Sequence, residues 1–234
     1  MKKSSYIWGG AIFLLIVIAG LFIIKASWQK NPDKANTDLG NAVKAESFAP
    51  TNSPTISADE KIIGSISAPI KVLVYEDYSN SFSADAADSI KKLETDFGDK
   101  LVIAFRPYAT REKPASIEAA MAVECAADQE KWSQMREAIL KDVKNSSLNS
   151  DQIKADATAI GLDQAIFGKC LTDVEKQGIM LQVATDAKQF SVYGAPTIFV
   201  NNELVVGARP YEDYLDEFGA KVEGLKSLVT RQIK

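Results

Sequence analysis

Val72-Leu73-Val74-Tyr75-Glu76-Asp77-Tyr78-Ser79-Asn80-Ser81-Phe82-Ser83 is the stretch that decides the fold. It lies across the end of a short apolar run, Ile70 to Tyr75, broken only by Lys71. Such a run predicts a central strand covered on both faces. A polar turn follows, and a helical pattern starts near Ser81. Ala86, Ala87, Ile90 and Leu93, with Phe97 one turn on, recur at the helical period and give one apolar face. Gly98 is placed to end that helix. A strand that feeds directly into a helix start is a mounting point for chemistry, because the free N–H groups and the helix dipole stabilise negative charge there, a thiolate for example.

The neighbouring sequence supplies the partners of this unit. Leu101 to Phe105 reads as a second strand, terminated by Arg106-Pro107, and a strand–helix–strand of this length predicts a right-handed parallel crossover. Gly64 and Ala68-Pro69 read as a turn leading into the first strand. Residues 108–191 carry helical patterns only, over Ser116–Asp128, Lys131–Val143, a capped segment from Asn149-Ser150-Asp151 to Ile160, Ala165–Leu171 and Val174–Phe190. A last α/β half begins at Val192. Asn201-Asn202 suits a hairpin turn with Glu203–Val206 as the return strand. Tyr211–Phe218 is expected to be the closing helix, and the tail over residues 221–234 a weak amphipathic helix.

Several of these runs, in this order, resemble the DsbA-like thiol–disulfide oxidoreductases of the thioredoxin superfamily. Members of that family typically read hydrophobic-Glu-Phe-x-Asp-(Phe/Tyr)-x-Cys-Pro-(Phe/Tyr)-Cys at the strand–helix junction. This chain keeps Asp77, Tyr78 and Phe82 in register. It has Asn80 and Ser83 at the two cysteine positions, Ser81 at the proline and Val74 at the glutamate. Tyr193-Gly194-Ala195-Pro196-Thr197-Ile198-Phe199-Val200-Asn201 resembles the family's Gly-x-Pro-Thr-Phe-hydrophobic-Val-Asn run, and residues 124–132 and 161–171 resemble stretches of its helical insertion. The resemblance implies an α/β thioredoxin-like fold over residues 61–220, with a helical insertion at about 108–191. It also implies a cis Pro196 facing the junction, and a groove formed by Ser81, Phe82, Ala195 and Pro196 in which an extended polypeptide adds as a strand.

The frame of a redox site is thus present without its thiols. Family members use the helix-N-terminal thiolate as nucleophile and the second cysteine to resolve the mixed disulfide. Neither an amide nor a hydroxyl can do this, so Asn80 and Ser83 are not expected to be catalytic, although Asn80 can cap the helix. Cys125 and Cys170 are the chain's two cysteines. They read as buried free thiols, as a displaced redox pair, or as the structural disulfide that some DsbA-like proteins form between these two helices. The leading expectation is a non-redox module that binds polypeptide or an envelope protein partner. The alternatives are an oxidoreductase working through Cys125 and Cys170, and a structural subunit of an envelope assembly.

At the other end of the chain, Tyr6 to Ile24 carries no charge and spans roughly 28 Å as a helix, close to the thickness of a bilayer core. Tyr6 and Trp8 on one side and Trp28 on the other suit the two interfaces. The expectation is a short cytoplasmic head (1–5), an uncleaved single-pass signal anchor in the lipid bilayer (6–25) and a flexible linker (26–60) rich in Asn, Ser, Thr, Pro and Lys, with the domain on the extracytoplasmic side. A cleaved signal peptide is the alternative. The whole chain of 234 residues is 46% hydrophobic and 25% charged, which suits a globular domain, and its formal net charge of −4 argues against nucleic acid as partner. Histidine is absent, which removes the commonest general base and metal ligand. No ligand spacing for a metal and no phosphate loop is seen, so no cofactor is expected.

Overall fold

The computed structural model describes residues 52–233. The expected head, membrane segment and most of the linker lie outside the described residues. Among the described residues no helix is long and apolar enough to cross a membrane.

A five-stranded sheet forms the centre, in the order β1 (Ile62–Gly64), β3 (Leu101–Pro107), β2 (Ile70–Glu76), β4 (Thr197–Val200), β5 (Glu203–Val206). β2 is the middle strand, parallel to β3 and antiparallel to β4. Its alternating side chains supply both faces. Val72 and Val74 pack with Ile90 and Leu93 of α1 (Ser81–Phe97), whereas Leu73 and Tyr75 pack with Phe199, Ala184 and Ala187 on the other side. That double cover is why the run is apolar at nearly every position. Gly98 closes α1 with φ 48°, a conformation that glycine adopts without strain.

The insertion is a set of five helices: α2 (Pro114–Ala127), α3 (Trp132–Lys144), α4 (Ser150–Ala159), α5 (Gln164–Leu171) and α6 (Val174–Asp186). Asn149, Asp163 and Asp173 start the last three, each side chain accepting two backbone N–H groups of the first turn. Cys125 of α2 and Cys170 of α5 are joined in a disulfide, with Cα atoms 5.7 Å apart. The two cysteines are 45 residues apart in sequence, and by chain entropy closing such a loop contributes about 4 kcal/mol. The free-thiol reading is therefore replaced by the bridge.

Four expectations are corrected. Arg106-Pro107 does not lie beyond β3 but forms its last two residues. β1 covers β3 only from Val102 to Ala104, so Pro107 needs no ladder partner on that side. Gly64 is not merely a turn residue but closes strand β1, where a Cβ would stand 2.2 Å from the Leu101 carbonyl oxygen. Residues 211–218 are not a helix: Tyr214–Leu215 (β6) and Lys221–Val222 (β7) form a small hairpin. Asp216 accepts the N–H groups of Phe218 and Ala220, Asp213 accepts that of Gly224, and Gly219 takes φ 78°. These local side-chain bonds outcompete a helix. The closing helix is α7 (Leu225–Gln232), inside the expected tail, and it buries Leu225, Leu228 and Val229 against the sheet. Finally, α6 stops at Asp186, with a 3-10 turn carrying the chain to Phe190.

Asp142 of α3 and Asp156 of α4 face each other. Ser147 and Gln152 each satisfy one oxygen of the pair, leaving both Oδ2 atoms buried without a partner among the described residues. Burial and the neighbouring Asp142 carboxylate raise the Asp156 pKa to about 6. The folded state thus holds a proton more tightly than the unfolded chain. The stability this adds is complete below the ordinary aspartate pKa of about 3.9 and is lost as pH rises through about 6. Asp156→Asn is expected to raise Tm at pH 7 by ~2–4 °C, after discounting for solvent around the half-buried group, with the gain vanishing near pH 4.5 in a calorimetric pH series. An unchanged or lower Tm at pH 7 would refute the raised Asp156 pKa.

Candidate functional site

β2 delivers its last residue, Glu76, into the interior with no exposure. A buried carboxylate needs a cation, and Arg136 of α3 supplies it. Arg136 Nε and Nη2 donate to the two Glu76 oxygens at 2.7 and 2.5 Å. The guanidinium also lies over the Phe105 ring, 4.1 Å from its centroid. Burial opposes the Arg136 charge, but Glu76 more than offsets this and holds its pKa above the ordinary value. The pair therefore fixes the strand end against the insertion.

The turn that follows is tied by Asp77. Its Oδ1 accepts the Ser79 N–H at 3.0 Å and the Ser79 hydroxyl at 2.8 Å, its carbonyl accepts the Asn80 N–H, and its Oδ2 accepts Lys113 Nζ at 3.3 Å. Tyr78 points inward and is fully buried. Its hydroxyl has no partner among the described residues, and burial pushes the phenol well above its ordinary pKa. The side chain is a packing anchor at this turn.

Asn80 and Ser83 occupy the helix start. Asn80 Oδ1 accepts the Phe82 N–H at 2.8 Å, while its Nδ2 donates to the Ala195 carbonyl at 3.4 Å. Ser83 is buried, and its hydroxyl accepts the Asp77 N–H at 3.2 Å. Both side chains are thus committed to backbone groups. The Ala195–Pro196 bond is cis, as the resemblance implies, and Thr197 of β4 holds the loop through a bond from its hydroxyl to the Gly194 carbonyl at 2.7 Å. Thr197 stands opposite Tyr75 in the sheet register, which brings the two motifs together. Ser81 and Phe82 are exposed, Ala195 is half-buried and Pro196 is buried. Tyr193, two residues before Ala195, is 75% exposed and Phe82 63%, so both aromatic side chains are open to solvent. Among the described residues the Ala195 N–H has no hydrogen-bond partner.

The four groove residues, with Asn80 and Ser83, come from two distant parts of the chain and meet at one end of the sheet. Cys125 and Cys170 do not join them; they are bridged within the insertion. Among the described residues no group of three or more acidic or thiol side chains could hold a metal. Sequence reasoning missed Glu76, Arg136 and Lys113. The signal available was Glu76 itself, an acid one position beyond a buried apolar run, which reads as a solvated turn unless the strand is extended by one residue.

The thioredoxin family model matches residues 55–217. The chain belongs to the thioredoxin family. Its solved likenesses include the thiol-disulfide exchange protein alpha-DsbA2 from Wolbachia pipientis, at TM-score 0.59 and 22% identity over 67% of this chain and 84% of that one. BdbD from Bacillus subtilis gives TM-score 0.59 and 16% identity over 74% of this chain and 92% of that one. The fold is therefore the DsbA-like form of the thioredoxin fold, with its helical insertion. Among curated proteins, the Na(+)/H(+) antiporter NhaA 1 of Mycobacterium sp. (strain KMS) is 31% identical over 148 residues, which are 62% of this chain and 24% of that protein. The chain thus spans about a quarter of the length of the curated relatives it matches.

The Glu76–Arg136 pair makes a direct prediction. Arg136→Met leaves a buried carboxylate unpaired and is expected to cost about 3–5 kcal/mol in chemical denaturation, whereas Glu76→Leu combined with Arg136→Met recovers most of that loss. Equal losses in the single and double variants would show that the pair does not act as a unit.

Proposed function

We propose that this chain is a membrane-anchored, extracytoplasmic member of the family that binds extended polypeptide at the cis-proline loop and performs no thiol–disulfide exchange at the helix start. The observation that carries this reading is the commitment of Asn80 and Ser83 to backbone hydrogen bonds at the two positions where DsbA-like enzymes hold cysteines. A carboxamide and an alcohol have no thiolate form and no disulfide couple at those positions. The surface used in strand addition needs no thiol. It needs an open backbone edge, which Ala195 offers, and apolar contacts, which Phe82 and Tyr193 offer.

The disulfide supports the same reading in two ways. It suits an oxidising compartment. It is also poorly placed for exchange, because Cys125 has no exposure and Cys170 only 9%, and an attacking thiolate must reach a sulfur in line. Anchorage is supported by the uncharged stretch Tyr6–Ile24 and the basic residues Lys2 and Lys3 before it, which favour an inside N-terminus.

The test is thiol accounting with an insulin-reduction assay on the full chain in non-ionic detergent. The expected result is a Cys125–Cys170 bridge that resists mild reductant, no insulin turnover, and binding of an extended apolar peptide that perturbs resonances at Asn80 and Ala195. Ready cycling of the bridge with insulin turnover would move the chemistry to the insertion. Absence of peptide binding would leave a structural role in an envelope assembly. Because the strand–turn–helix frame is intact, Asn80→Cys with Ser83→Cys is expected to gain dithiol reductase activity over the parent; a folded but inert double variant would show that the frame has drifted. Alkaline carbonate extraction is expected to leave the full chain in the membrane pellet, and its release would overturn the anchor.

A further inference from the structure

A polar cavity of about 410 Å³ opens beside the cis-proline loop, between residues 108–112 of the connection that follows β3 and one side of α6. Its wall includes Thr110, Arg111, Glu112, Gln182, Lys188 and Tyr193. Tyr193 ties the cavity to the polypeptide surface, since it lies two residues before Ala195. The charge of the wall is opposite to that of the chain. Arg111 and Lys188 are both exposed cations, and among the described residues neither lies within ion-pair distance of a carboxylate. Glu112 is the single acid on the wall. The backbone N–H of Glu112 and the Thr110 hydroxyl, with Lys188 and Arg111 nearby, hold its carboxyl below the ordinary value. The cavity is thus net positive on a chain whose formal net charge is −4.

An extended polypeptide paired along Gly194–Pro196 advances about 3.3 Å per residue, with every second side chain on the same face. A segment leaving that edge past Tyr193 therefore brings a side chain over the cavity within two or three residues. We propose that this cavity is a carboxylate subsite: the polypeptide bound at the cis-proline loop is acidic, with an Asp or Glu two or three residues from the stretch that pairs, held by Arg111 and Lys188 while its apolar part lies on Tyr193 and Phe82. This inference rests on the polypeptide-binding reading and adds the chemistry of the partner. Rim contacts of this kind set specificity and association rate, and they weaken with salt.

The test uses the full chain in non-ionic detergent and three labelled peptides sharing one extended apolar core, flanked by Glu-Glu, Gln-Gln or Lys-Lys, read by fluorescence anisotropy. The Glu peptide is expected to bind about five- to tenfold more tightly than the Gln peptide at low salt, and the Lys peptide most weakly, with the differences fading near ~0.5 M salt. The double change Arg111→Glu and Lys188→Glu, both at exposed positions, is expected to reverse the order without loss of the Gln peptide. Equal binding of all three peptides by the parent, or an unchanged order in the variant, overturns the carboxylate subsite alone. Failure of every peptide to bind a folded parent overturns the polypeptide reading beneath it. Tight binding of vesicles containing an anionic lipid, lost in the double variant while the peptides remain indifferent to it, would assign the cavity to a lipid headgroup and overturn the proposal.

Discussion

The buried pair of Glu76 and Arg136 is the constraint on which the site depends. A carboxylate at the end of the central strand, with no exposure, cannot stay charged without a partner, and the partner comes from the helical insertion rather than from the sheet. The two-point geometry of guanidinium on carboxylate, stacked on Phe105, specifies an orientation as well as a contact. It sets α3 against the sheet and places the first residue of the 77–80 turn. The insertion is thus locked to the thioredoxin core at the point where β2 turns into the start of α1.

Beyond that lock, the helix start is held by side chains that satisfy backbone groups. A helix N-terminus leaves N–H groups without intrahelical partners, whatever chemistry it hosts. Asn80 satisfies one and reaches across to the cis-proline loop, and Ser83 receives the Asp77 N–H from inside. These are structural tasks that a thiol performs poorly, since sulfur is a weak acceptor. Among the described residues the Ala195 N–H takes no part in these bonds, and the rings of Phe82 and Tyr193 stay exposed.

Much of the fold was legible because local and tertiary signals agree. The strand from Ile70, the helix from Ser81 to Gly98, the parallel return strand and the hairpin at Asn201 each carry a pattern that burial then reinforces. Reading failed where a short-range polar bond outweighs an apolar period. Asp213 and Asp216 convert 211–218 from an apparent helix into a hairpin, and the helix expected in the tail takes over the closing role because Leu225, Leu228 and Val229 are buried against the sheet. Glu76 escaped notice for the complementary reason: the sequence of a strand end does not reveal that a cation sixty residues away will meet it.

By itself, then, the sequence determined the α/β crossover, the helical insertion, the run with Pro196 and the absence of thiols at the helix start, since each is a matter of periodicity or of which atoms a residue carries. Only the tertiary structure decided that Cys125 and Cys170 are bridged, that Asn80 touches Ala195, that Glu76 is paired and that Arg111 and Lys188 converge beside Tyr193. The physical reason is that these are contacts between segments far apart in the chain. No local pattern encodes them, and they come into being only when the sheet closes and its two ends are packed.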